Sequence, residues 1–436
     1  MPSARYNIAG AEYHANTVPF CAALAQAHGA KIRPLCLCRD PGVEMYIARF
    51  EQRFLVKRMP GTGTLHTVGC DSFEAPATLS GMGELADSAI QEDIETGQTA
   101  LKFGFALSKG AQKKAPVPSE KEADSVKADA RKLTLRATLH YLWEQAGFNR
   151  WSPAMEGKRS WNTIRKYLLK AAADKTAKGV SVSELLYVPE FFVVDQKAEI
   201  EARRLATVTQ IVNAPNGAQR YMLIIGELNE IAQARYGHKL VLKHLPAYGL
   251  MLDDDTHRRL LKRFGAELDL WNLHDHYHMV VIATCEVNRS GTALVVEVAL
   301  MPVTAQWIPV ESEIDAALVA ALEKRRYQKM LRYNLPATRP LATALLTDTE
   351  TPTALYIEPP GADEAYLTAL GALIVDNELD AWTWKPLQGG MPPLPAPGGK
   401  WRRNFPASPA RAQRADSAPA DLLTPDYPDH AEDMPS

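Results

Sequence analysis

Cysteine is scarce in this chain, with five among 436 residues. That is too few for a disulfide framework to organise a protein of this length. Charge of one sign is lacking as well: 49 Lys and Arg face 51 Asp and Glu, a formal net charge of −2. No field of the whole molecule can then drive association with nucleic acid or membrane, although local basic patches still can. No apolar run approaches the roughly 20 residues of a membrane span. Residues 1–6 lead into mixed polar sequence rather than an apolar core, so no signal peptide is expected. Gly61-x-Gly63 lacks the Gly-Lys-Ser/Thr that grips a nucleotide and reads as a turn. There is no internal repeat and no familiar enzyme signature. These absences fit a protein of the bacterial cytoplasm. Apolar residues make up 46%, which is ordinary for a globular chain, and the length suits two or three domains.

The cysteines that are present are concentrated. Cys36, Cys38 and Cys70 lie within residues 34–73, and His66 stands four residues before Cys70. Zinc takes four soft or borderline ligands, and structural sites close all four positions. Cys36-x-Cys38 offers two thiolates from one tight turn, and His66-x-x-x-Cys70 offers the other pair. Two short strands, at 45–48 and 54–57, and the turn Met59-Pro-Gly-Thr-Gly63 form a hairpin-like run that brings the pairs together. The spacing is not that of a standard finger. Three reduced cysteines packed as small apolar residues, with His66 in an ordinary loop, is the alternative left open here. The expected site is Cys36, Cys38, His66 and Cys70 holding zinc.

The same stretch carries a family resemblance. CLCRDPGVEMYIA, then LVKRMPGTGTLHTVGC and SFE, resemble a bacterial family of unknown function, domain-of-unknown-function family 1173, marked by three cysteines near its N-terminus. The resemblance runs to Trp382-Thr-Trp384. It implies a passenger of plasmids and integrative elements and supplies no activity.

The organisation expected is α+β. A zinc-binding domain spans 1–112, a charged, Pro-containing linker 113–132, and a basic helical segment 133–215. A C-terminal α/β domain spans 216–386, and a Pro-, Gly- and Ala-rich disordered tail 387–436. Helices are expected over 133–147, 161–173, 254–264, 313–331 and 362–375, and strands over 187–194, 280–287 and 293–300. Residues 199–212 fit either state.

Three places carry candidate chemistry. In 150–178 eight basic residues meet only Glu156 and Asp174, with Trp151, Trp161 and Tyr167 interleaved. Basic side chains neutralise phosphates and aromatic rings stack on exposed bases. Arg159, Arg165, Lys166 and Lys170 are the expected contacts, with Arg159, Lys166 and Lys170 on one face and Trp161 on the core face. The alternative is a solvated lysine face over core tryptophans. His274-Asp-His-Tyr-His278 could place three histidines on one side of a strand as a metal site, or could be a polar turn. Finally, helix, strand, turn, strand, helix over 313–375 resembles the core of restriction-endonuclease-like nucleases. There, however, Leu341 stands at the aspartate position, Pro360 at the lysine position, and only Asp348 and Glu358 remain as acids. A single clean acid cannot build a catalytic magnesium site.

The function expected is thus a zinc-stabilised, nucleic-acid-binding accessory protein of a mobile element, with DNA as the first partner and no membrane. A metal-dependent nuclease with a degraded C-terminal site and a protein-interaction scaffold are the alternatives.

Overall fold

Strands dominate the start of the chain in a computed structural model that describes residues 4–50, 53–109, 131–213 and 219–398. β1 (Arg5–Ile8) and β2 (Ala11–His14) form a hairpin. α1 (Val18–Gly29) follows, with the Thr17 hydroxyl accepting from the Phe20 amide at its first turn. It buries Phe20, Leu24 and Ala27, spaced four and three residues apart, so one stripe faces inward. β3 (Leu35–Cys36), β4 (Val43–Phe50) and β5 (Arg53–Arg58) complete a sheet of order β2-β1-β3-β4-β5.

β6 (Ile90–Glu92) and β7 (Thr99–Leu101) lead to the charged segment, of which 110–130 lie outside the described residues. Beyond it, α2 (Leu135–Gln145) is capped by Thr134 and is buried from Ala137 through Trp143. β8 (Arg150–Trp151) precedes α3 (Trp161–Ala172), which is capped by Ser160. β9 (Lys175–Ala177) pairs in parallel with β7, and β10 (Val180–Ser181) closes a four-stranded sheet. Lys57 on β5 and buried Lys175 on β9 both hold Asp174. The strand expected over 187–194 is only β11 (Leu186–Tyr187), because Pro189 has no amide to continue a ladder. Residues 199–212 are helical, within α4 (Lys197–Val212).

The chain then closes a barrel. Its elements are β12 (Met222–Gln233), β13 (His238–Leu242), β14 (Leu245–Leu252), α5 (Asp254–Asn272), β15 (His278–Val287) and β16 (Ala293–Val303). The order is β12-β13-β14-β16-β15, and β15 returns to pair with β12. β14 and β16 run parallel, and the other barrel pairs are antiparallel. β12 serves two neighbours by bending. Its first half pairs with β15 and its second with β13, with a register shift between Leu228 and Glu230. Two residues before the handover lies Gly226, where a Cβ would lie 2.6 Å from Leu242 Cδ1. A five-stranded Greek-key barrel with this helix between its third and fourth strands is the architecture of oligonucleotide- and oligosaccharide-binding modules. β15 is buried without interruption from Met279 to Cys285.

Trp307 follows β16 with φ +61, in the left-handed region that bulky side chains avoid. Its ring lies 4.1 Å from His278 and 5.9 Å from Trp161, and its carbonyl accepts from Trp143 Nε1.

The expected helix over 313–331 ends early. α6 (Glu313–Ala321) stops, and β17 (Tyr327–Lys329) pairs with both β8 and β18 (Ala344–Leu346). Strand pairing takes the residues that helical periodicity claimed. β19 (Thr353–Ile357), α7 (Glu364–Asp376) and β20 (Asp380–Trp384) follow, giving the order β20-β19-β18-β17-β8. Residues 387–398 lack regular structure but are tied down. Pro393 and Pro395 carbonyls accept from Trp382 and Arg325, and the Gly398 amide donates to Asp348 O. The expected tail beyond residue 398 lies outside the described residues.

One close approach joins the early loops to the C-terminal sheet. The Gly81 amide donates to Leu331 O, and a Cβ at Gly81 would fall 2.0 Å from Arg332 O. Gly81→Ala should destabilise the protein by about 1–3 kcal/mol, the cost of overpacking. Urea unfolding would show this as a lower midpoint at unchanged slope. An unchanged midpoint would mean that residues 331–333 yield freely.

Candidate metal centre

Two segments deliver four ligand atoms. Cys36 ends β3 and is almost fully buried, and Cys38 follows in the loop before β4. His66 comes after a 3-10 turn at Gly63–Leu65, and the Cys70 amide closes a turn onto Thr67 O. Arg39 Nη1 donates to Leu65 O and Thr67 Oγ1 to Cys38 O, so the loops are tied directly as well.

The four ligand atoms all lie within 4.8 Å of one another. Cys36 Sγ and Cys70 Sγ are 3.7 Å apart, and His66 Nδ1 lies 3.4 Å from Cys38 Sγ and 3.7 Å from Cys70 Sγ. No disulfide is present. A tetrahedral ion with bonds of about 2.3 Å to sulfur and about 2.0–2.1 Å to nitrogen has S···S edges of about 3.8 Å and S···N edges of about 3.6 Å. These three separations match those edges, so the residues fit a metal ion. Packing as small apolar residues would not require this convergence.

Among the thiols it is Cys70 that leans toward ionisation. A hydrogen bond from Cys36 pulls the Cys70 thiol down, helped by the Ser72 amide on the same sulfur. The same bond, with burial, pushes Cys36 up. His66 Nε2 is buried and meets no acceptor, so the ring is oriented by packing and by the contacts of Nδ1 with Cys38 and Cys70. Cys70 and Val68 pack against the cluster of Phe73, Leu79, Met330 and Leu341 under the C-terminal sheet. The centre therefore sits where the N-terminal strands meet the rest of the chain. Cys21 and buried Cys285 lie outside the cluster.

The basic candidates separate. Arg159 precedes the cap of α3 rather than lying on its face. Its guanidinium donates to the carbonyls of Phe148, Gln306, Gly147 and Arg150 and sits 5.5 Å from the Phe148 ring and 5.6 Å from that of Trp151. Burial pushes its pKa down to about 10. Arg159 thus closes a knot of carbonyls and is not free for phosphate. Arg165 Nε donates to Val188 O, while Lys166 and Lys170 are exposed beside Tyr167. Trp161 is buried.

The histidines of 274–278 do not gather round an ion: among the described residues no second group of three His, Cys, Asp or Glu ligand atoms converges. His278 instead donates from Nδ1 to Glu227 Oε1 at 2.7 Å. His244 Nε2 lies 3.5 Å from Glu227 Oε2, and Lys243 Nζ is 3.0 Å from Oε1. Burial alone would raise the Glu227 carboxyl, but these donors outweigh it and hold it well below its usual range. Glu227 and His244 carry no sequence signal, being separated from each other and from His278 by tens of residues or an entire strand.

The two C-terminal acids are engaged elsewhere. Arg325 grips Asp348 through two nitrogens, at 2.7 and 2.9 Å, and the Arg326 amide adds a third donor. Glu358 pairs with Lys385 at 3.0 Å. No helix among the described residues is long and apolar enough to cross a membrane.

A family model described as a protein of unknown function, DUF1173, matches residues 6–387. No curated protein and no solved structure matches the chain.

Two outcomes are expected. The purified chain should carry one metal ion, and Cys38→Ser should lose it and expose residues 4–73 to protease while sparing the rest. Structural sites of this kind carry apparent binding energies on the order of 10–16 kcal/mol. Metal analysis beside limited proteolysis checks this, and a metal-free protein with a resistant N-terminus would refute it. The chain should also fail to nick supercoiled plasmid with magnesium or manganese. Nicking that Glu358→Ala abolishes would be the contrary result.

Proposed function

The chain belongs to the DUF1173 family, and on that footing we propose that it is a zinc-stabilised nucleic-acid-binding protein, an accessory factor of a plasmid or integrative element. Zinc is the ion that three thiolates and one imidazole suit best, and four protein ligands leave no open position for chemistry. Its role is structural, holding strands with a small core of their own onto the body of the protein.

The observation that carries the binding role is the asymmetry of α3. Trp161, Ile164, Leu168, Ala171 and Ala172 are buried, while Lys166 and Lys170 point outward with Tyr167, which is 42% exposed. The helix contains no acid. Most other basic groups near the core are neutralised, as Lys57, Lys175 and Arg325 are. The barrel of β12–β16 supports the same reading, since its architecture is one that binds extended polymers, although architecture alone assigns no ligand.

Anisotropy of labelled oligonucleotides tests the proposal. Affinity should fall steeply with salt, and Lys166→Ala with Lys170→Ala should reduce the salt slope by about two while weakening all sequences alike. Arg159→Ala should leave the slope unchanged and lower thermal stability. An unchanged affinity in the double lysine variant would remove α3 from the interface. Zinc, rather than iron or another ion, should be the metal found by mass spectrometry.

A further inference from the structure

We propose that the outer face of α7 is a docking surface for a basic amphipathic helix of another protein. α3 and its ligand play no part in it.

α7 has the composition of an interior helix. The residues between Glu364 and Asp376, AYLTALGALIV, carry no charge. A helix that is apolar all round belongs in a core, yet Leu370 is its one buried side chain. The inner stripe of Tyr366, Leu370, Leu373 and Ile374 packs under the C-terminal sheet with Leu345, Ala354 and Tyr356. At about 3.6 residues per turn the opposite stripe is Leu367, Thr368, Gly371, Ala372 and Val375. All five are exposed, Leu367 at 39% and Val375 at 74%.

The closing segment 387–398 does not supply the missing cover. Its Met391 and Leu394 pack with Leu355 and Trp384. Along β19, Leu355 lies on that side of the sheet, while Ala354 and Tyr356 lie on the side of α7. Residues 387–398 therefore serve the other face.

An apolar face alone names no partner, but the charge around this one does. Residues 341–384 contain eight acids and no Lys, Arg or His. Asp348 and Glu358 pair with Arg325 and Lys385. Among the described residues the other six form no ion pair, and they gather at the two ends of α7. Asp363 caps the helix by accepting the Tyr366 amide, and Glu364 follows in the first turn. Asp376 ends it, with Glu378 and Asp380 just beyond. The Thr351 hydroxyl donates to Asp380, which brings the turn carrying Glu350 to the same end. Acids in the first turn suit the helix dipole, but Asp376 and Glu378 add to its negative pole. That end is left to cations from outside. The face is thus apolar along its length and anionic at both ends, about 18 Å apart at 1.5 Å per residue.

This pattern selects among occupants. A second copy would set acids against acids in either helix direction. Nucleic acid and anionic lipid are repelled in the same way. A basic amphipathic helix fits. Its apolar stripe covers Leu367 and Val375, and Lys or Arg near its ends meets the acids. The small centre of the stripe permits close approach of helix axes: even a Cβ at Gly371 would meet nothing within 4 Å.

The test uses the full chain and a labelled peptide of about 18 residues with a leucine stripe and lysines near both ends, long enough to span the face. A scrambled peptide of the same composition and a version with Glu in place of Lys are the controls. The basic amphipathic peptide should bind more tightly than either. Leu367→Ser with Val375→Ser should weaken it roughly tenfold or more, with thermal stability unchanged because both side chains are exposed. Asp376→Asn with Glu378→Gln should weaken it several-fold and flatten its salt dependence. Lys166→Ala with Lys170→Ala should bind it as wild type does. Equal binding of either control peptide, or wild-type affinity in both α7 variants, refutes the docking surface and leaves the nucleic-acid reading untouched. A dimer in sedimentation that Leu367→Ser with Val375→Ser dissociates refutes it in favour of self-association.

Discussion

Convergence of three sulfurs and one ring nitrogen is the constraint on which the N-terminal part of this protein depends. Residues 59–76 have little secondary structure, and few of their side chains are buried. Nothing in local propensity would hold such a segment in one conformation against its conformational entropy. In the proposed reading, an ion bonded by His66 and Cys70 within the segment and by Cys36 and Cys38 at the end of β3 would replace the missing core. The centre lies against Phe73 and Leu79, which in turn pack under β18 and β19. Local order at the ligand cluster is thereby passed to a sheet whose strands arrive some 270 residues later in the sequence.

The barrel obeys a different constraint, the geometry of closure. β12 closes the ring by pairing with β15 along its first half and with β13 along its second, with the handover at Leu228 and the bulge that follows. Helices then decide which part of the wall meets solvent. The first half of β12 and most of β15 are covered on both faces, while β13 and β14 keep the polar-out alternation of a half-buried sheet. Exposure around the barrel is therefore an outcome of where α2 to α5 dock, not of the barrel strands themselves.

Legibility in the sequence followed the range of the interaction. The convergence of Cys36, Cys38, His66 and Cys70 could be read because cysteines are rare and each pair is local. Helices α2, α3 and α5 were legible from their local pattern, and in the structure Thr134, Ser160 and Asp253 cap them within one turn. The barrel could not be read, since β15 presents a continuous apolar run and the parallel β14–β16 contact joins strands with a long helix between them. Arg159 was misread for a related reason. Its environment is four carbonyls from two distant segments, and a charge pattern says nothing about carbonyls. The stretch 313–331 kept helical periodicity past Ala321, but Tyr327 and Gln328 are wanted by Trp151 and Arg150. Residues 387–398 have the composition of a free tail, yet two of their prolines serve as acceptors for Trp382 and Arg325.

Trp307 shows what such long-range commitments mean for the chain's freedom to vary. Its backbone sits where glycine is at ease and an L-residue bears a cost on the order of 1–2 kcal/mol. Its ring, however, is wedged among Trp143, Trp161 and His278. Glycine would relax the backbone and leave a void the size of an indole, and any other side chain would keep the strain while filling the space less well. Position 307 thus has no neutral neighbour in sequence space. Drift there can be tolerated only if several rings around it change together.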